Sequence, residues 1–247
     1  MSAAMAQGLR SMALAGGLVF AAVPLAARAQ EPEISVAPFL WGPSLKGQLS
    51  EGPITIPLDA GIKDLAGGIK GGGMVHAEVT GRGLHASVQA IYADFHDRRF
   101  APVFGANVRS DLFTLEALAG PVIEAGPVAL SPMAGMRHTR IRGVFDAPGM
   151  GRLKAGNAWQ EALAGLEAKA PLTDNLVLRA RATVAVAGPR GQSSSDLILV
   201  GSYRLSRAVS LAAGYRWASE KVRSGRSGRF GMNLDAKGPL LGLVIGL

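Results

Sequence analysis

The chain has 247 residues, 33 of them glycine and none of them cysteine, with a formal net charge of +8. The lack of cysteine excludes disulfide scaffolds, thiol chemistry and cysteine-ligated metal centres. Beyond the first thirty residues there is no run of the roughly 20 consecutive apolar residues that a transmembrane helix needs.

Residues 1–30 read MSAAMAQGLRSMALAGGLVFAAVPLAARAQ. Arg10 gives a positive start, Met12 to Leu25 is an almost uncharged apolar core, and Ala27-Arg28-Ala29 is a small-x-small cleavage site. No acidic residue occurs before Glu31. That order is the pattern of a secretory signal peptide over 1–29, removed before Gln30. It leaves 30–247 as one domain, and the loss of Arg10 and Arg28 reduces the net charge from +8 to +6. In an exported chain nucleic acid is not an expected partner, whereas a polyanionic membrane surface is.

From Ile34 onward the repeating feature is alternation. In LHASVQAIY, Leu84, Ala86, Val88, Ala90 and Tyr92 oppose His85, Ser87, Gln89 and Ile91. In LVLRARATVAV, Leu176, Leu178, Ala180, Ala182, Val184 and Val186 oppose Val177, Arg179, Arg181, Thr183 and Ala185. In VSLAAGYRW, Val209, Leu211, Ala213, Tyr215 and Trp217 share one face. A period of two marks strands with two different surroundings. The same reading predicts ten strands, near 34–48, 69–80, 84–96, 108–124, 127–142, 158–171, 176–188, 196–206, 209–222 and 229–247.

Short connections at 81–83, 124–126, 172–175 and 207–208 alternate with longer ones near 49–68, 97–107, 143–157, 189–195 and 223–228. Short turns at one end and long loops at the other are the signature of a bacterial outer-membrane barrel, and an even strand count puts both termini at the short-turn end. The bilayer requires closure, since an open sheet edge would leave backbone groups without partners. The predicted fold is therefore all-β, a closed antiparallel transmembrane β-barrel of ten strands, with eight or twelve as alternatives. A soluble exported sandwich or lipocalin-like barrel is the competing reading.

Two stretches depart from this pattern. Leu58, Ile62 and Leu65 stand at helical spacing and Asp59 could cap a short helix over 58–68. Phe230, Met232 and Leu234 are out of phase with Leu241 and Leu243, which predicts a bulge or break at Gly238-Pro239.

The final residues KGPLLGLVIGL alternate up to the last position. Gly242, Ile245 and Leu247 resemble the C-terminal signal by which the outer-membrane assembly machinery recognises its clients, although Leu247 stands where an aromatic is commoner. Near the other end, Pro38-Phe39-Leu40-Trp41, Lys46-Gly47, Lys63-Asp64-Leu65 and Gly238-Pro239-Leu240-Leu241-Gly242 together resemble a family of outer-membrane β-barrel proteins of uncertain function. The resemblance implies a barrel and no particular substrate.

Parity assigns Glu78, Glu116, Glu161, Glu167, Glu220, Arg137, Arg179, Arg181, Arg204 and Arg216 to the lumen. Ten strands enclose little more than the eight-stranded size that side chains fill. Two readings stay open: a salt-bridged plug, or a narrow hydrated path whose arginines favour small anions. Trp41, Tyr92, Trp159 and Trp217 fall near predicted strand ends, where amphipathic rings form interfacial girdles.

Four histidines, His76, His85, His96 and His138, raise a catalytic alternative. His96 beside Asp94 and Asp97 would make an acidic rim cluster, but no set of residues stands at a recognisable catalytic or metal-binding spacing. GGIKGGG at 67–73 lacks the Lys-Ser/Thr of a phosphate loop. The expectation is a non-enzymatic barrel, structural or a narrow channel, without cofactor or metal. Its partners are outer-membrane lipid, lipopolysaccharide and the assembly machinery. A surface enzyme acting on lipid or peptide, or a binder using the loops at 97–107, 143–157 and 189–195, is the alternative.

Overall fold

The computed structural model describes residues 32–52, 54–61, 69–97, 107–147, 151–189, 191–224 and 230–247; the signal segment lies outside them. The strand segments are β1 (Glu33–Trp41), β2 (Ser44–Glu51), β3 (Ile54–Ala60), β4 (Ile69–Gly81), β5 (Leu84–Asp97), β6 (Asn107–Pro121), β7 (Ile123–Ala125), β8 (Val128–Ala147), β9 (Gly151–Pro171), β10 (Leu176–Ala187), β11 (Ser193–Arg204), β12 (Val209–Ser224) and β13 (Phe230–Gly246). All pairings are antiparallel. The path β1-β4-β5-β6-β8-β9-β10-β11-β12-β13 closes where β1 also pairs with β13.

These segments form ten wall strands. β2 continues β1 past Gly42-Pro43 and keeps the same register against β13, Trp41 opposite Leu240 and Ser44 opposite Lys237. β3 returns beside β2 and β4 beside β1, separated by residues 61–68. β7 pairs with the start of β8, past the end of β6. The termini and short turns define a basal end. At one of these turns Arg82 and Gly83 have φ of 53° and 73°, as a two-residue turn matching the twist of its hairpin requires. The opposite end is called distal.

The wall's outer surface is an apolar band that includes Val75, Val88, Leu115, Leu166, Val184, Leu199, Leu211 and Leu241, all exposed. The inner surface alternates with it. Along β5, His85, Ser87, Gln89 and Ile91 are buried between exposed Leu84, Val88 and Tyr92. Glycine lets the strands draw close on the concave side. A Cβ on Gly135 would meet the Ala117 carbonyl oxygen at 1.9 Å, and one on Gly238 the Gly42 oxygen at 2.0 Å. Both contacts lie far inside van der Waals separation, so only glycine fits.

Three expectations are corrected. Leu58, Asp59 and Ala60 belong to strand β3, so no helix begins there; 62–68 lie outside the described residues. Strands also extend into what the sequence suggests are loops. β2 and β3 occupy much of 49–60, β8 reaches Ala147 and β9 starts at Gly151. The sequence signal fades there because distal to the apolar band neither face of a strand needs to be apolar. Finally, β13 has no bulge at Gly238-Pro239, since its pairing with β12 runs unbroken from Val209–Ile245 to Ser224–Phe230. Instead the apolar residues change face. Phe230 and Met232 are buried inside with Trp159 and Val222, packed by Leu49, Ile141 and Leu234.

Candidate functional site in the lumen

The lumen holds two groups of charged side chains, one above the other. The middle group is centred on Arg137 of β8. Its Nε donates to Glu116 Oε2 at 3.0 Å and its Nη2 to the same oxygen at 2.6 Å. Nη1 donates to Glu161 Oε1 at 3.0 Å, and the guanidinium also reaches Thr183 Oγ1 at 3.3 Å and Ser194 Oγ at 3.4 Å. Asp196 of β11 lies 3.7 Å from it and accepts from Arg216 of β12, whose Nε stands 3.1 Å from both carboxylate oxygens. Arg181 of β10 donates to Gln89 at 2.6 Å and lies 3.5 Å from Glu116. Glu161 is tied further by Ser194 at 2.9 Å and by Gln192. The guanidinium of Arg216 stacks over Trp41, 4.6 Å from its ring centre, an arrangement that favours a cation over an aromatic face.

Three guanidinium groups (Arg137, Arg181, Arg216) thus face three carboxylates (Glu116, Glu161, Asp196), all buried. Burying any one of these charges alone would cost several kcal/mol. Strand register explains the convergence: Glu116, Arg137 and Glu161 lie directly opposite one another across β6, β8 and β9. On the distal side of this group lies the Trp159–Phe230 cluster, and Trp159 Nε1 donates to Glu220 at 3.0 Å.

The basal group is built around Glu78 of β4 and Arg179 of β10, which form a two-pronged pair at 2.5 and 2.6 Å. Ser35 Oγ donates to Glu78 Oε1 at 3.1 Å, and His76 Nε2 lies 3.4 Å from Oε2. Arg179 Nε is 3.6 Å from Glu167 Oε1, and His85 Nε2 is 3.7 Å from that oxygen. The other ring nitrogen of His85 is 2.9 Å from Thr80 Oγ1. An exposed pair, Lys169 with Glu33 at 3.7 Å, marks the basal rim.

Of the charged residues assigned to the lumen by parity, Glu78, Glu116, Glu161, Glu167, Arg137, Arg181 and Arg216 are buried. Arg179 and Glu220 are partly exposed, and Arg204 is exposed where β11 ends at the basal turn. The aromatic assignments divide. Tyr92 and Trp217 are exposed on the outer wall, but Trp41 lies under Arg216 and Trp159 is buried in the lumen. Position along a strand suggested an interfacial role for all four; parity separates them, because Trp41 shares a face with Ala37 and Phe39, and Trp159 with Glu161.

Sequence reasoning missed Asp196, which stood at the first position of a predicted strand, and it left His76 and His85 without a lumenal role. The alternation SSSDLILV, with Ser194, Asp196, Ile198 and Val200 on one face, was the available signal for Asp196. The side chains of His96 and Asp97 lie outside the described residues. Gly242 sits against Phe39, Ile245 pairs with Val36, and Leu247 donates its N–H to the Ile34 carbonyl at 3.0 Å.

Comparison of the whole structure with solved proteins finds the outer membrane protease OmpT of Escherichia coli at a TM-score of 0.61, over 90% of this chain and 99% of that one, with 8% identity. The chain has the outer-membrane barrel fold. Smaller overlaps are found with Neisserial surface protein A (TM-score 0.36, 14% identity, 87% of this chain and 99% of that one) and with Ail, the attachment invasion locus protein of Yersinia pestis (0.37, 11%, 87% and 97%). No protein-family model matches the sequence, and no curated protein does.

Proposed function

We propose that this protein is a non-enzymatic integral protein of the bacterial outer membrane, a structural barrel whose lumen is shut to solutes. It is exported by a signal peptide cleaved after Ala29. Gly242, Ile245 and Leu247 of the last strand address it to the assembly machinery, and lipid and lipopolysaccharide contact the apolar band. The basal end then faces the periplasm and the distal end the exterior.

The observation that supports a shut lumen is Arg137, held between Glu116 and Glu161 with Asp196 close by. An anion path needs free positive charge along the pore, whereas the middle arginines are each engaged by a carboxylate or an amide. The distal apolar cluster adds a layer that offers ions no ligands. Single-channel recording on the barrel reconstituted in a planar bilayer tests this. Folding is confirmed by slower gel migration of the boiled sample, and a folded, silent barrel is the expected result. Well-defined anion-selective steps would overturn the reading and put Arg179, Arg181 and Arg216 on a conducting path.

A further inference from the structure

The basal cluster is short of positive charge, and its geometry names what could supply it. Glu78 of β4, His85 of β5 and Glu167 of β9 each bring one ligand atom to within 4.8 Å of the other two. Glu78 and His85 come from the paired strands β4 and β5 and Glu167 from β9, farther round the wall, and all are inward by parity. His85 and Glu167 are each only 4% exposed. Yet His85 Nε2 and Glu167 Oε2 have no hydrogen-bond partner among the described residues. Polar atoms so deeply buried are normally satisfied, so two orphans side by side call for a cause.

The tautomer sharpens the point. The short contact between His85 Nδ1 and Thr80 Oγ1 allows either direction; in the tautomer with Nδ1–H donating, the Nε2 lone pair faces Glu167. Nε2 and the Glu167 carboxylate are then two acceptors facing each other at 3.7 Å with no donor between them. This is how metal-binding histidines are held: one nitrogen is fixed by an oxygen partner and the other is presented to the ion. Arg179 brings the nearest cation, but its two terminal nitrogens are committed to Glu78. One guanidinium therefore serves two carboxylates.

We propose that Glu78, His85 and Glu167 form a binding site, opening at the basal mouth, for one divalent transition-metal ion of the zinc class. One imidazole and two carboxylates are a donor set that such ions accept, with water completing the shell. Arg179 is the stand-in cation. Its side chain is 23% exposed, against 8% for Glu78 and 5% for Glu167, so it can withdraw toward the basal mouth and release Glu78 to the ion. Thr80 and His85 flank the Gly81–Gly83 turn, so the ion enters close to the basal rim. His76, already against Glu78, holds that carboxylate in place from the other side.

The test is equilibrium dialysis of the purified, chelator-stripped protein in detergent against Zn²⁺, with metal counted by mass spectrometry. Co²⁺ absorption reads the ligand set. One ion per chain is expected. H85A and E167Q, checked for folding by gel migration, should bind at background level, and T80V about tenfold more weakly, as loss of an orienting partner does. R179M should bind about tenfold more tightly, since a competing positive charge is gone. H138A, on the outward face of β8, should match the wild type. If H85A or E167Q fails to fold, uptake by the wild type and its response to T80V and R179M still decide. No uptake by the folded wild-type barrel would overturn the proposal. Uptake unaffected in folded H85A would overturn it equally.

Discussion

The two charged groups of the lumen are made from the same side chains and solve different problems. In the middle, three guanidinium groups meet three carboxylates and serine, threonine and glutamine add hydrogen bonds, with Glu116 Oε1 and Arg181 Nη1 left without one among the described residues. At the base, one guanidinium meets two carboxylates with two imidazoles beside them, and buried atoms remain without donors. Balanced charge closes on itself. Unbalanced charge, held rigidly by neighbouring strands, makes a place where something else can bind.

The largest effect expected from breaking this contrast is in the middle group. Arg137→Ala strands Glu116 and Glu161 and deprives Asp196 of a neighbour, and should destabilise the barrel by about 3–5 kcal/mol, the usual result of breaking a buried charge network. A urea titration of the lipid-reconstituted protein measures it, and the same variant should admit ions in the bilayer recording. Asp196→Asn keeps shape and removes one charge. Its loss should be smaller, about 2 kcal/mol, because Arg216 keeps Trp41 beneath it but loses its charged acceptor. At the base the sign of the argument changes: Glu167→Gln removes excess negative charge and should shift the urea midpoint by less than about 1 kcal/mol equivalent, within the range of mild substitutions. Arg204→Ala, exposed at a turn, should leave the unfolding curve unchanged. If Glu167→Gln proved as damaging as Arg137→Ala, the distinction between the two groups would collapse.

The wall was legible in the sequence because a closed sheet with an apolar outer face and a charged inner one imposes a period of two. Ten strands and their basal turns follow from that alone. Periodicity says that two faces differ; it does not say which residues go inside where the lumen itself turns apolar. Phe230 and Met232 show this, having the wrong phase for the outer apolar band and the right one for the distal cluster with Trp159 and Val222. β3 was hidden by Pro57, a residue that argues against a central strand. Among the described strands β3 pairs only with β2, and such an edge tolerates proline. The middle network was visible but for Asp196, since Glu116, Glu161, Arg137, Arg181 and Arg216 stand out as charges of inward parity. In the basal cluster Glu78, Glu167 and Arg179 stand out in the same way, but their meeting with His85 does not. Its members are brought together by the tilt and stagger of the closed sheet, which places Glu167 of β9 against His85 of β5, a relation that no local spacing encodes.

The line where the first and last strands meet has a consequence of its own. Along it β1 pairs with β13 at Ser35 and Val36 and again from Phe39 to Trp41, and β2 resumes at Ser44. Pro38 and Pro43 on one side and Pro239 on the other contribute no N–H, and the gap at Gly42 is bridged by its own N–H to the Pro239 carbonyl at 3.1 Å. Amide protons there should trade with solvent soonest, and thermal fluctuation should part the cylinder along this single line. The same sparse stitching makes it the place where the wall can come undone.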